Sequence, residues 1–337
     1  MAILAGIDEA GFGPLLGPLM VSCSAFSVRP ELLEADLWQT LKRSVGKSRR
    51  HLAGRLLIAD SKKAFDRAGG LGHLERTALA MLRMMGAETQ DLASLLGVLC
   101  PECLPRLAEY PWYQDLQQCR LMEDGEREAD DAGRDGNKRR LDAASMRIAA
   151  NVFQDDLRTH GAKLVHMQSR CLDVAYYNRM VSHVKNKSQV LFIATTQLVQ
   201  GLLERFSENN VRILVDRQGG RAHYREHLLR SFPGMDLRIV AEGSQSSIYE
   251  LRAGARTVRL SFTVGADECY LPVSLASMVS KYVRELLMQC VNEYFVGMDA
   301  ALKPTAGYWK DGLRFVEELR QRLPQVEIGR QRLVRSR

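Results

Sequence analysis

Short apolar runs and longer stretches with helical spacing of apolar residues alternate along this chain. The short runs predict strands at 3–7, 19–28, 55–59, 163–167, 211–215, 236–241 and 256–263. The helical spacing predicts helices over 73–85, 188–206, 221–231, 273–296 and about 311–322. A turn rich in Gly and Pro at 11–18 joins the first two strands and indicates a hairpin. Strands followed by alternating helices and strands indicate an α/β fold, a mixed sheet flanked by helices.

The stretch from about 87 to 160 differs from the rest of the chain. It contains Pro-bearing breaks and a charged run at 123–140 that lacks apolar periodicity, which predicts a mobile loop. We therefore predict a catalytic domain formed by 1–86 and 161–325, with 87–160 as an inserted, mainly helical subdomain. Residues 326–337 are expected to form a basic C-terminal tail that frays.

Two features of the predicted insertion leave alternatives open. Tyr110, Trp112 and Tyr113 could stack on nucleic-acid bases, although such a cluster more often forms the core of a small subdomain. Cys100 and Cys103 form a CxxC pair, but a zinc site would need two more ligands. Free structural cysteines are the favoured interpretation of this pair.

Composition and charge narrow the class of protein. The 337 residues are 46% hydrophobic and 26% charged, which excludes a wholly disordered chain. Lys and Arg number 47 against 40 Asp and Glu, and the net charge of +7 suits an anionic partner. No apolar run is long enough to span a bilayer, so we expect no membrane partner. Seven scattered cysteines and a start without a basic leader predict a reducing, cytoplasmic setting.

Four acidic residues are the candidates for chemistry. Asp8, Glu9 and Asp216 end apolar strands, and Glu285 lies at the border of the apolar stripe of the helix over 273–296. Buried carboxylates that converge repel one another, so a cation must compensate, and oxygen ligands favour Mg²⁺ or Mn²⁺. Two such ions about 4 Å apart are typical of phosphodiester cleavage. Alternatively, each Asp could cap a turn, and Glu285 could pair with Lys281.

The order of several motifs resembles the ribonuclease HII family, also called type 2 ribonuclease H. The matching segments are GIDEAGFGP at 6–14 with GP at 17–18, DSKK at 60–63, LVD at 214–216, SLASMVSKYVRE at 274–285 and GY at 307–308. The resemblance covers about 1–65 and 165–320. It implies a ribonuclease H-like fold and an endonuclease that cleaves RNA in RNA–DNA hybrids or ribonucleotide-containing duplexes, leaving 3′-hydroxyl and 5′-phosphate ends.

The resemblance also implies roles for individual residues. Asp8, Glu9, Asp216 and Glu285 would be both catalytic residues and ligands of two divalent ions, Mg²⁺ or Mn²⁺. The implied substrate-binding residues are Gly11, Phe12, Gly13, Ser61, Lys62 and Tyr308. The ring of Tyr308 would stack on a sugar at an RNA–DNA junction.

The chain departs from the family pattern in four places. Phe12 replaces an Arg whose loop contacts the ribonucleotide 2′-hydroxyl and a phosphate, Arg217 replaces a Gly, and Glu285 replaces an Asp. The stretch 87–160 is foreign to the family core. Because Phe12 offers neither charge nor hydrogen-bond donors, we expect weak discrimination for a single embedded ribonucleotide. A structure-specific nuclease on the same scaffold and a non-cleaving nucleic-acid-binding homologue remain the alternatives.

Overall fold

The computed structural model describes residues 1–65, 70–121, 143–207, 210–254, 256–326 and 329–336. The strands are β1 Ala2–Ala10, β2 Leu19–Val28, β3 Val45–Gly46, β4 Leu56–Leu57, β5 Ala162–Leu172, β6 Val211–Asp216, β7 Asp236–Glu242, β8 Ser246–Ala253 and β9 Arg256–Thr263. The helices are α1 Leu37–Thr40, α2 Ser61–Ala64, α3 Gly72–Met84, α4 Leu92–Leu99, α5 Leu104–Leu107, α6 Ala143–Thr159, α7 Val174–Val184, α8 Lys187–Arg205, α9 Arg225–Ser231, α10 Ala266–Cys269, α11 Leu271–Met298, α12 Trp309–Arg322 and α13 Arg330–Leu333. Within these ranges, no helix has the length and apolar content to cross a membrane.

Seven strands form one mixed sheet, in the order β5-β2-β1-β6-β9-β8-β7. The central strands β1, β6 and β9 are parallel, whereas β2, β5, β7 and β8 pair antiparallel with their neighbours. Because the carboxyl ends of parallel strands meet at one edge of a sheet, residues that follow β1, β6 and β9 come together there. The predicted mixed α/β sheet flanked by helices is confirmed.

Each face of the sheet is covered by helices. Along β1, Ile3, Ala5 and Ile7 pack into the hydrophobic core on one face, and Leu4 packs into the core on the other. This alternation is the two-residue period of a strand that is buried on both faces. Helix α11 covers β1 and β2 on the Leu4 side, and α8 packs on β2 and β5 on the opposite side.

Helix α11 approaches β1 so closely that only a glycine fits between them. A Cβ atom at Gly6 would lie 2.2 Å from the backbone of Pro272 and Val273, at the start of the helix. The hydroxyl of Ser24 on β2 donates to the carbonyl oxygen of Pro272 at 2.8 Å. These contacts fix α11 on the sheet directly beside the carboxyl end of β1.

The described part of 87–160 packs into the hydrophobic core on one face of the sheet. Trp112 packs against Phe295 of α11, with ring centroids 5.5 Å apart, and belongs to the same hydrophobic core as the sheet. The hydroxyl of Tyr110 donates to Asp173 at 2.7 Å. Tyr110, Trp112 and Tyr113 are therefore buried in the main core, which removes the base-stacking interpretation. The charged run 123–140 lies outside the described residues.

Residues 329–336 of the C-terminal segment contact the glycine-rich loop at 11–18. Val334 forms a β-bridge with Leu16, and the backbone N–H of Arg335 donates to the carbonyl oxygen of Leu15 at 2.9 Å. The Arg335 side chain is buried over the ring of Tyr177, with 4.9 Å between Cζ and the ring centroid. The aliphatic and planar parts of an arginine pack well on aromatic surfaces, so a basic segment can be held as part of the fold.

Candidate active site

Three neighbouring elements bring acidic side chains to one edge of the sheet. Strands β1 and β6 pair with Ile7 opposite Val215, so Asp8 and Asp216 follow paired positions on adjacent parallel strands. Asp216 in turn pairs with Thr263 at the end of β9, and the chain then turns into α10, which contains Asp267. With Glu9 next to Asp8, the sheet edge carries four carboxylates.

Hydrogen bonds with α10 and α11 hold two of these acidic residues in place. The Ser280 hydroxyl on α11 donates to the carbonyl oxygen of Asp8 at 3.1 Å. Asp216 Oδ1 accepts the backbone N–H of Ala266 at 2.8 Å, which ties the end of β6 to the start of α10. Two of the acids are thus oriented by elements that pack on the sheet.

The pKa values of all four carboxyl groups are raised. Burial is the largest cause for Asp8, followed by repulsion from Glu9, Asp216 and then Asp267, and its pKa lies well above the ordinary value. Burial and then the charge of Asp216 raise the pKa of Glu9 to about 7. Burial and then the charge of Asp267 raise the pKa of Asp216 to about 6. Hydrogen bonds from backbone N–H groups and the positive charge of Lys62 lower this pKa, but by less.

Burial is again the first cause of the raised pKa of Asp267, followed by the charges of Asp60 and Glu268. The edge is therefore a concentration of negative charge in which each carboxylate disfavours the ionisation of the next. Such a group favours the uptake of a proton or a cation.

Glu285 is paired with two cations of its own helix. Its Oε1 accepts from Lys281 Nζ at 2.7 Å and from Arg284 Nη1 at 3.0 Å, on the same helix. The structure therefore contains the ion pair between Glu285 and Lys281 that the sequence analysis gives as the alternative to a metal ligand. The structure brings together Asp8, Glu9 and Asp216 of the predicted acids, and adds Asp267.

Asp267 is absent from the acids that the sequence pattern singles out. Its signal is nevertheless the same as that of Asp8 and Asp216, an acidic residue at or just after an apolar strand run, here 256–263. Because β9 is parallel to β6, this signal places Asp267 at the same sheet edge.

The Arg284 side chain organises the glycine-rich loop that follows Asp8 and Glu9. It is fully buried, and its Nη2 donates to Leu16 O at 3.4 Å and to Ala306 O at 3.0 Å. Gly11 has φ of +94°, and a Cβ atom there would lie 2.6 Å from Arg284 Nε. The loop thus needs glycine at this position both for its backbone conformation and for the space that Arg284 occupies.

The remaining predicted substrate residues lie in different environments. Phe12 is half-buried and Gly13 is exposed with open space around it, so both border the solvent above the loop. Tyr308 is half-exposed, and its ring centroid lies 5.9 Å from Arg284 Cζ. These three residues are accessible to solvent.

The DSK motif at 60–63 contains both buried and exposed residues. The Ser61 side chain is buried, and its hydroxyl accepts from Ser277 of α11 at 3.0 Å, so Ser61 ties the motif to that helix. Lys62 is exposed, and its charge acts on both Asp216 and Asp267. Lys62, unlike the buried Ser61, is therefore accessible from solvent.

The carboxylate group suits a divalent cation by its chemistry. Its donors are all oxygens, the ligands that Mg²⁺ and Mn²⁺ prefer, and their mutual repulsion is relieved by a cation. In the described part of the chain, no three His, Cys, Asp or Glu side chains already have the arrangement of a metal site, and this includes Cys100 and Cys103. The sulfur atoms of these two buried, free cysteines lie 3.6 Å apart.

Comparison with family models and with curated proteins gives no match. Among solved structures, the chain is similar to RNase HII in its complex with PCNA from Archaeoglobus fulgidus, at 14% identity and a TM-score of 0.43, over 99% of this chain and 94% of that one. It is also similar to ribonuclease H2 from Pyrococcus horikoshii OT3, at 12% identity and a TM-score of 0.39, over 98% and 92%. A third structure is Bst-RNase HIII with Mn²⁺, at 13% identity and a TM-score of 0.39, over 99% and 66%. Likenesses of this size decide neither the family nor the activity of the chain.

Proposed function

We propose that this protein is a divalent-metal-dependent endonuclease of the ribonuclease H type that cleaves RNA in RNA–DNA hybrids or in duplexes containing ribonucleotides. The observation that carries the proposal is the convergence of Asp8, Glu9, Asp216 and Asp267 at one sheet edge, where burial and mutual repulsion raise their pKa values. The motif resemblance in the sequence supplies the substrate class.

The reaction would be the hydrolysis of a phosphodiester. A water oxygen forms a bond to phosphorus, the bond between phosphorus and O3′ breaks, and O3′ takes up a proton, which leaves 3′-hydroxyl and 5′-phosphate ends. Two bound Mg²⁺ or Mn²⁺ ions would activate the water and stabilise the leaving oxygen. The four carboxylates would hold these ions, and the exposed Lys62 and the backbone of Gly11 would contact substrate phosphates.

Cleavage of a labelled substrate panel tests this function. The panel contains an RNA–DNA hybrid, duplexes with four ribonucleotides and with one, an all-DNA duplex and a DNA flap, each with Mg²⁺, Mn²⁺ or EDTA. We expect cation-dependent cleavage of RNA-containing duplexes only, without preference for the single ribonucleotide because Phe12 lacks charge and donors. Cleavage of the DNA flap would instead indicate a structure-specific nuclease, and binding without cleavage a non-cleaving homologue.

A pair of substitutions tests the identity of the fourth acid. We expect Asp267→Asn to lower kcat by about 10²–10³-fold, as for other electrostatic groups at a reaction centre, and to abolish the rise in Tm with Mn²⁺. Glu285→Gln should keep that rise but lower the stability of the metal-free protein by about 2–3 kcal/mol, since Lys281 and Arg284 lose a charged partner. The reverse pattern would make Glu285 the fourth ligand and contradict the assignment of Asp267.

A further inference from the structure

A pocket of about 200 Å³ opens at the glycine-rich loop that follows Asp8 and Glu9. Phe12, Lys187, Trp309, Arg335 and Ser336 are among its lining residues. We call this space the Phe12 pocket. Its volume lies below the range of roughly 300–1,000 Å³ that is typical of pockets for drug-sized ligands, so it suits one base rather than a run of several nucleotides.

The pocket is close to the acids along two stretches of chain. Phe12 follows Glu9 by three residues, and Gly219 follows Asp216 by the same number. A Cβ atom at Gly219 would lie 3.9 Å from Phe12 Cε1, so the two stretches meet at the phenyl ring. Three residues of extended chain span at most about 11 Å. The pocket therefore lies within about one or two nucleotides of the carboxylates.

Aromatic side chains border the pocket. Trp309, the first residue of α12, is 39% exposed, and the adjacent Tyr308 is 50% exposed. The other two tryptophans, Trp38 and Trp112, are each only 7% exposed. Exposed rings are platforms for nucleic-acid bases, because every base has a π-face that can stack on them.

The charge at the pocket is positive. Lys187 Nζ lies 5.1 Å from the centroid of the Phe12 ring, and Lys187 is the first residue of the long helix α8. The buried Arg335 adds a second cation, and its Nε and Nη1 have no hydrogen-bond partner among the described residues. None of the described lining residues is acidic. An anion is favoured here, in contrast to the carboxylate edge beside it.

A strand that enters the pocket has room to continue. A larger cavity of about 810 Å³ runs along α12 and shares Leu15, Trp309, Arg335 and Ser336 with the Phe12 pocket. Leu313 and Arg320, one and three helical turns after Trp309, line it. The two spaces therefore adjoin each other along these shared residues.

We propose that the Phe12 pocket binds one unpaired nucleotide of the substrate, with its base against Phe12 and Trp309 and its phosphate at Lys187. This inference rests on the proposed nuclease function and adds a preference to it. A nucleotide inside a regular duplex is stacked and paired, and cannot place its base in a protein pocket. The enzyme therefore favours a hybrid with a single-stranded extension or junction over a blunt hybrid of the same sequence.

Tryptophan fluorescence in EDTA measures this binding without cleavage. The probes are a blunt 12-base-pair RNA–DNA hybrid and the same hybrid with a two-nucleotide single-stranded extension. We expect the extended hybrid to quench the exposed Trp309 and to bind about tenfold more tightly, as one stacked base allows. Trp309→Ala should remove both the quench and the preference. Lys187→Gln should weaken the binding of the extended hybrid and reduce its salt dependence by about one phosphate contact.

Lys310→Gln is the matched control, since it removes the same charge from exposed α12 outside the pocket lining. It should leave the preference for the extended hybrid intact. Equal Kd values for the two hybrids, or equal effects of Lys187→Gln and Lys310→Gln, would overturn the pocket assignment. Lys187 is exposed, so its variant keeps the test valid if Trp309→Ala does not fold.

The two proposals fail separately. If no substrate is cleaved with any cation but the extension still quenches Trp309, the nuclease proposal falls and the pocket stands. If RNA-containing duplexes are cleaved but the extension changes neither binding nor fluorescence, the pocket alone falls.

Discussion

Glu285 and Asp267 illustrate how neighbours decide the role of a carboxylate. Glu285 accepts hydrogen bonds from two cations on its own helix, which balance its charge. Asp267 is surrounded by other acids, and burial together with Asp60 and Glu268 raises its pKa. The same functional group is thus a structural ion-pair partner in one place and a candidate cation ligand in the other.

The acidic edge predicts a pH dependence of stability in the absence of divalent cations. The ordinary pKa values are 4.5 for Glu9 and 3.8 for Asp216, against about 7 and about 6 in the folded protein. Between pH 4 and 7 the folded state therefore binds more protons than the unfolded state, so the free energy of unfolding contributed by these groups falls as the pH rises. At about 1.4 kcal/mol for each unit by which a folded-state pKa exceeds its ordinary value, these two groups set an upper limit of about 6 kcal/mol on the loss across that window.

Thermal unfolding from pH 4 to 8, with EDTA and with Mn²⁺, measures this effect. Asp8→Asn combined with Asp216→Asn removes two of the charges and should flatten the dependence in EDTA. Because Mn²⁺ binds the deprotonated carboxylates, its effect on Tm should be larger at pH 8 than at pH 5. An equal slope in the wild type and the double variant would show that the dependence comes from other groups.

At the scale of elements, α11 is the support for the whole site. Ser280 donates to the backbone of Asp8, Ser277 donates to the buried Ser61, and Arg284 packs against Gly11. These residues recur at intervals of three and four, so they lie on the face of the helix that is buried. One helix docked on β1 therefore positions both the acids and the adjoining loop.

The close approach of α11 and β1 predicts a large effect of one added methyl group. In Gly6→Ala the Cβ atom would meet the backbone of Pro272 and Val273 at 2.2 Å, and backbone cannot rotate away. We expect a loss of at least about 3 kcal/mol, at the upper end for overpacking, together with a weaker rise of Tm with Mn²⁺ because α11 shifts.

Gly97→Ala is the matched control, measured beside Gly6→Ala by urea denaturation. Gly97 is exposed inside α4, where an added Cβ has nothing within 4 Å. Alanine should stabilise that helix by about 0.5–1 kcal/mol. Similar losses for the two variants would contradict the close packing of α11 on β1.

At the scale of the whole molecule, the described part of 87–160 belongs to the main core. Trp112 packs on Tyr294 and Phe295 of α11, and Arg106 pairs with Asp173 at 2.7 Å, just after β5. These contacts link the region to the sheet and to the helix that supports the site. The region is therefore expected to unfold together with the site.

Trp112→Ala tests whether this region unfolds together with the site. We expect a loss of about 3–5 kcal/mol, as for other large-to-small core substitutions, which should appear equally in hydrogen exchange of amides in β1 and in α4. Leu313→Ala, at a side chain that is 46% exposed, should cost less than about 0.5 kcal/mol. Faster exchange confined to α4 and its neighbours would instead indicate a subdomain that opens on its own.

The sequence by itself determined the elements whose period is strong. The run 256–263 predicts β9 with its observed ends, and the pattern over 273–296 predicts α11 to within two residues at each end. The sequence also placed Asp8 and Asp216 at strand ends. These features can be predicted from a residue's neighbours along the chain, because period and strand length are local properties.

Only the tertiary structure decided which distant residues meet. The hydrophobic pattern does not predict strand β8 or helices α6, α7 and α10. It also does not predict that Asp267 lies near Asp8, because this depends on the parallel register of β1, β6 and β9. The burial of Trp112 and of Arg335 likewise follows from elements that are far away in the chain. Hydrophobic spacing shows which face of an element is buried, but the partner of that face is set by the packing of the whole sheet and its helices.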